Sequence, residues 1–268
     1  MVTTRGQELG VAALTSLALA GLIATVSQLA SPVLPEITIE TELTPITVFP
    51  DFASIQDVDV KKQQFFDYLE DYVIAQNESI SEIREELQSF ADIANSGVGF
   101  SNREREWILE LADYYRIETA DKTDREIANE LMLRVDEIPV SLVLVQAANE
   151  SAWGTSRFAL EGNNIFGQWC FEEGCGIIPN RRRSGATHEV KRFDSISESI
   201  SGYFQNINTH HSYRYLRELR AEMRESEDEL DSLLLASGLG RYSERGDHYV
   251  DEVQNIILQN DLLERDQS

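Results

Sequence analysis

This sequence has little positive charge, few cysteines and few histidines. It carries 23 Lys and Arg against 47 acidic residues, a formal net charge of −24. The deficit excludes a general nucleic-acid binder, which needs cationic excess to neutralise phosphates. The one basic cluster is Arg181, Arg182 and Arg183, with Lys191 and Arg192 nearby; it reads as a solvated loop or as a patch facing substrate. Only two cysteines and four histidines occur, and His188, His210, His211 and His248 show no metal-ligand spacing. No metal site is expected. Proline is scarce too, and four of the six, Pro32, Pro35, Pro45 and Pro50, fall within one short stretch. No internal repeat is evident.

What is present divides the chain into four parts. Leu9 to Ala30 is free of charge and about as long as a bilayer core is thick. Arg5 precedes it and an acid-rich stretch follows. Residues 1–31 therefore read as an N-terminal membrane anchor or signal sequence, with the body exported. The expected location is the periplasmic side of the inner membrane, or the periplasm if the segment is cleaved. Residues 32–57 read as an extended linker. Residues 58–103 are a helical region: Phe65, Phe66, Leu69, Tyr72 and Val73 share a stripe that Ile80, Ile83, Leu87, Phe90 and Ala94 continue, as one helix or two, to Gly97 and Gly99.

Residues 104–268 follow, with helices restarting near Asn102 and after Thr123-Asp124. "IPVSLVLVQAANESAWG" opens with Pro139, closes with Gly154 and is apolar nearly all round, so a central buried helix is expected. Residues 154–194 lose helical period, and "THEVKRF" alternates like a strand, which predicts a small β-hairpin or lobe. Cys170 and Cys175, in "CFEEGC", fit a disulfide across a turn in an oxidising compartment. Ile196, Ile200, Tyr203 and Ile207 make another helical stripe. The fold class is α+β, predominantly α.

One carboxylate stands apart. Most acids lie in charged runs, but Glu150 sits among alanines and aromatics near the end of the central helix. Burial, the negative helix terminus and aromatic neighbours would all favour its protonated form. A carboxyl that keeps its proton can donate it to a leaving oxygen, the general-acid step of glycoside hydrolysis. On spacing alone, a solvated glutamate at a frayed helix end explains it equally well.

"SLVLVQAANESAWGTSRFALEGNNIFGQW" resembles the glucosaminidase domain of glycoside hydrolase family 73, through its Q-A-A-x-E-S-x-W-G-x-S and N-x-F-G patterns. "FPDFASIQDVDVKKQQFFDYL", "ATHEVKRFDSISESISGYFQNINTHHSYRYLR" and "YSERGDHYVDEV" carry the likeness over roughly residues 49–260. The resemblance implies a lysozyme-like domain with a small β lobe and hydrolysis of peptidoglycan glycan strands, with no cofactor. Glu150 matches the catalytic glutamate. Glu189 is the candidate second carboxylate, activating water; otherwise the substrate's own acetamido group attacks, or Glu189 is a surface charge paired with Lys191 or Arg192. Glu161, Glu172 and Glu173 are weaker candidates. Trp153, Phe166 and Trp169 are sugar-stacking or core aromatics. Tyr203 and Tyr242 are further site candidates, ahead of Tyr249. Asn164 either holds the cleft loop or contacts an acetamido group. A lytic transglycosylase and a non-catalytic wall-binding protein are the rival readings; protein partners are not indicated.

Overall fold

The computed structural model describes residues 34, 35, 37, 43–180, 182, 185–240 and 246–267. The proposed anchor, Tyr242, Arg181 and Arg183 lie outside the described residues. Pro35–Ser268 forms one compact unit, so the 58–103 and 104–268 regions share a single core. Among the described residues no helix is long and apolar enough to cross a membrane.

The apolar stripe from Phe65 to Phe90 makes one helix, α1 (Val58–Asn95). At 1.5 Å per residue it spans about 57 Å. Asp57 caps its start by accepting from the amides of Asp59 and Val60, and Gly97, at φ +81°, follows its end. Helix α2 (Asn102–Tyr114) and helix α3 (Asp124–Arg134) each begin with a capping box, Ser101 with Glu104 and Thr123 with Glu126. In each, one side chain satisfies an amide that the first turn leaves unpaired.

Helix α4 (Val140–Ser151) is the predicted central helix, buried without a break from Val140 to Ala148. It packs against α1, and α1 also contacts α3. Helix α5 (Arg157–Gly162) leads into a sheet of β1 (Trp169–Cys170), β2 (Gly176–Ile177) and β3 (Glu189–Lys191), antiparallel in the order β1-β3-β2. The expected small β lobe is thus three-stranded, with "EVK" in the middle. Trp169 pairs with Val190 and Cys170 with Glu189, while Gly176 pairs with Lys191. A Cβ on Gly176 would sit 2.0 Å from the Val190 carbonyl, so only glycine permits this register. Cys170 and Cys175 are disulfide-bonded, as expected. Helices α6 (Ile196–Thr209), α7 (Arg214–Glu225), α8 (Ser232–Ser237) and α9 (Asp247–Gln259) complete the fold, and a 3₁₀ segment, Leu262–Gln267, packs on α4 and α9. The molecule is mostly helical with one small antiparallel sheet, the α-rich architecture implied by the resemblance.

Two buried arrangements fix where α4 starts. Asp136, in the loop before it, is 2% exposed and faces Arg84 of α1 with Arg220 and Arg224 of α7. Burial opposes its charge, yet Arg220, Arg84 and Arg224 together hold the carboxyl below its usual range. Arg220, fully buried, also donates to the carbonyls of Leu133, Asp136 and Glu137, groups that the end of α3 leaves without helical partners. Asp266 accepts from the Ser141 amide at 2.8 Å, the Ser141 hydroxyl at 2.7 Å and the Ser232 hydroxyl at 2.9 Å.

The linker expectation needs correction from residue 43 onward. The Ile46 carbonyl accepts from the Ile196 amide at 2.9 Å, and the Tyr68 and Tyr72 hydroxyls donate to the carbonyls of Val48 and Thr44. Phe49 and Phe52 pack edge-on against Phe65 and Tyr68. Residues 43–57 are therefore a strap fastened across α1 and the start of α6. The prolines and threonines resemble a linker, but Ile46, Phe49 and Phe52 find apolar cover on the body.

Candidate active site

The site is built at the C-terminal end of α4, where the chain makes an abrupt left-handed exit. Ala152, Trp153 and Gly154 follow one another at φ of +52°, +58° and +73°. Gly154 is needed there twice over: its φ is positive, and a Cβ would lie 2.1 Å from the Phe49 ring. This turn leaves Glu150 in the last turn of α4. The burial expected of Glu150 is not found. The residue is exposed, as is Ala152 just beyond it, although Ala147 and Ala148 are buried.

A chain of hydrogen bonds ends on that carboxylate. The Tyr203 hydroxyl of α6 donates to Gln146 Oε1. Gln146 Nε2 donates to the Tyr249 hydroxyl of α9 at 3.2 Å. The Tyr249 hydroxyl donates to Glu150 Oε1 at 3.2 Å. Gln146, Tyr203 and Tyr249 are 3%, 4% and 4% exposed, so the chain runs through low-dielectric surroundings, where such bonds reinforce one another. The other oxygen, Oε2, faces Gly167, whose Cβ, were it present, would lie 3.6 Å away; Gly167 has φ +65°. Gln146, Glu150, Phe166, Gln168, Tyr203, Asn206 and Tyr213 line one narrow cleft. Glu150 is the sole carboxylate in that lining among the described residues. A larger groove, lined by Asn77, Pro139, Arg224 and Asp266 among others, lies at the opposite end of α4. Its Asp266 is already engaged by two serines.

The remaining predicted residues divide clearly. Phe166 stacks on Tyr203 at 4.1 Å and 18°, and both face the cleft while remaining buried. Asn164 is buried. Its Oδ1 accepts from the Gln168 amide, and its Nδ2 donates to the carbonyls of Gln168 and Lys191. Both of its amide hydrogens are used, so it ties the cleft loop to β3 and does not turn an amide toward a ligand. Trp153 lies against α1, its ring 5.9 Å from Phe65 and 5.3 Å from Phe66, and is absent from the cleft lining. Its aromatic neighbours come from a helix 90 residues earlier in the chain, which local spacing does not reveal.

Glu189 is not brought to Glu150. It is 4% exposed and accepts from the Gly176 amide at 2.8 Å and the Gly174 amide at 3.2 Å, beneath the disulfide loop. Neither a surface pairing with Lys191 or Arg192 nor a place in the cleft describes this position. The reason is the register: Glu189 pairs with Cys170, so its side chain falls under the turn that Cys170 and Cys175 close. Of the basic cluster, Arg182 donates to the carbonyls of Thr187 and His188 and so steadies the loop into β3.

Sequence reasoning passed over Gln146, Gln168, Asn206 and Tyr213, and ranked Tyr249 behind Tyr242. Gln146 did carry a signal, as an amide within the buried apolar run of α4, one turn before Glu150.

Residues 125–262 match the glucosaminidase family model, described as mannosyl-glycoprotein endo-beta-N-acetylglucosaminidase. The match takes in α4, the sheet and α9. The chain is also 32% identical over 201 residues to Protein bax of Escherichia coli strain K12, covering 75% of this chain and 70% of that protein. No solved structure gives a significant match. With a family match that spans α4, the sheet and α9 and a relative of 32% identity over 75% of the chain, this Bax-like chain belongs to the glucosaminidase family of glycosidases.

Proposed function

We propose that this protein is an endo-β-N-acetylglucosaminidase that hydrolyses peptidoglycan glycan strands, with Glu150 as general acid. The observation that carries the reading is the place of the Glu150 carboxylate: it lines the cleft and is held by the Tyr249 hydroxyl, behind the buried Gln146 and Tyr203. In this reading Glu150 carries the proton. The negative end of α4 disfavours charge there, and a sugar covering the cleft removes the water that solvates it. Glu150 gives its proton to the glycosidic oxygen as the C1–O bond breaks and the acetamido oxygen attacks C1 to form a cyclic intermediate. Water then attacks C1, opens the ring and returns a proton to Glu150, leaving a reducing N-acetylglucosamine end. Substrate assistance is favoured over a Glu189 base because Glu189 holds two backbone amides away from the cleft.

The bacterial relative, the disulfide and the uncharged Leu9–Ala30 segment favour an exported enzyme and a wall glycan over a glycoprotein. The membrane is met through the N-terminal segment, which either stays as an anchor or is removed. A reporter fused after Ser268 should be active only outside the cytoplasm, and a cytoplasmic signal would remove this part of the reading.

Purified wall digested in labelled water, reduced with borohydride and read by mass spectrometry tests the reaction. Reduced N-acetylglucosamine ends bearing the label are expected. A lytic transglycosylase, which also works with a single acid such as the one lining this cleft, would leave anhydromuramic ends instead. Glu150→Gln should lower turnover by about 10²–10⁴-fold while leaving folding intact. Wild-type turnover by that variant would exclude Glu150, and a folded wild-type protein that binds wall without cutting it would favour the non-catalytic alternative.

A further inference from the structure

Trp169 and Phe171 are the exposed large aromatics of the lobe among the described residues. The Trp169 indole is 58% exposed, yet it is braced from several sides. The His188 ring lies behind it at 4.3 Å and 13°, nearly parallel. Its backbone pairs with Val190, and the adjoining Cys170 is locked to Cys175. Glu189, next to His188, secures the far side of the disulfide loop, and Arg182 donates to the His188 carbonyl. An exposed indole gains nothing for the core by being held so firmly. A rigid, flat, solvent-facing apolar surface has its use when a ligand presents a flat apolar face.

The platform adjoins the cleft residues along the chain. Gly167 lies against Glu150 Oε2, Gln168 lines the cleft, and Trp169 is the next residue. One residue separates Gly167 from Trp169, a reach of at most about 7 Å between their Cα atoms. We infer that Trp169, backed by His188, is a stacking subsite for the pyranose face of an N-acetylated sugar, one or two rings along the strand from the bond cut at Glu150. A β-linked pyranose exposes axial C–H groups on its faces, which fit the electron-rich face of an indole. The ring is neutral, so the subsite is compatible with a chain of net charge −24. Its affinity comes from apolar contact and shape, and added salt should weaken it little.

This inference rests on the glycosidase reading, and the test separates the two. The full chain carrying Glu150→Gln is titrated with N-acetylglucosamine oligomers of two to six rings. Adding Trp169→Ala should weaken binding of the longer oligomers by roughly tenfold, the scale of one aromatic stack with its buried area. Trp169→Phe should recover most of that loss. In the Glu150→Gln protein with all tryptophans present, the longer oligomers should shield one indole from acrylamide quenching. Trp107 is buried, and Trp153 packs on α1, so the shielded ring is Trp169. Unchanged binding by Trp169→Ala together with no shielding overturns the subsite and leaves the enzyme reading standing. If no oligomer binds and the wild-type chain cuts no wall, both fall.

Discussion

Replacing Glu189 with glutamine separates two roles that a family comparison merges. Its carboxylate accepts one amide at 2.8 Å and another at 3.2 Å in a 4%-exposed position. Glutamine keeps one acceptor oxygen and turns an NH₂ toward the other amide, donor against donor. One hydrogen bond to a charged group is lost, worth about 1.5–3 kcal/mol, and the other becomes a weaker neutral bond. A net loss of about 2–3 kcal/mol follows. At about 2–4 °C per kcal/mol for a unit of this size, the melting midpoint should drop by roughly 4–12 °C. The Cys170–Cys175 bond should also become more accessible to reductant, because the amides freed belong to its loop. Thermal melting, thiol labelling under mild reductant, and wall turnover with and without azide measure all three. Azide should not restore turnover. An unchanged midpoint with a 10²-fold loss of turnover that azide recovers would refute the strut and establish Glu189 as the base that activates water.

Tyr249→Phe removes the donor to Glu150 and leaves Gln146 Nε2 without its acceptor; turnover should fall roughly tenfold or more with KM little changed, and the alkaline limb of the pH–rate profile, where a general acid loses its proton, should move, which a purely structural defect would not cause. Asp136→Asn leaves Arg84, Arg220 and Arg224 facing a neutral amide and should cost about 3–5 kcal/mol, read by chemical denaturation. Because the folded Asp136 lies below the ordinary carboxyl value of about 3.9, its stabilisation is complete above that pH and disappears as pH falls through the folded value. Wild-type stability should therefore decline below about pH 4, and the variant should lack that part of the decline. Gly154→Ala drives a methyl to within 2.1 Å of the Phe49 ring at a positive φ; a loss above about 2 kcal/mol and new protease cleavage within residues 43–52 are expected.

Sequence and structure agree best where burial repeats with a local period. The stripe from Phe65 to Phe90 and the all-round apolarity of "VSLVLVQAA" are each explained by one helix and its neighbours, and both were legible. The end of α4 was set two residues late: Gly154 marked the break, but Ala152 and Trp153 already adopt left-handed backbone, which neither residue type advertises. The site itself was half legible. Glu150 stood out by its surroundings, yet its exposure is decided by where the strap and α1 pack. Tyr249 reaches it across 99 positions of sequence, and Trp153 meets rings from the opposite side of the fold. Glu189 shows the same limit in a strand: alternation predicts which residues share a face, while the disulfide turn decides what that face covers.

Helix α4 is completed at both ends by residues far along the chain: Tyr249 reaches the carboxylate at one end, and Asp266 takes the Ser141 amide and hydroxyl at the other. The position of Glu150 therefore depends on segments 99 and 125 positions away in sequence from the α4 residues they hold. Deleting residues 247–267 should displace that glutamate well before it erases the helices that precede α4.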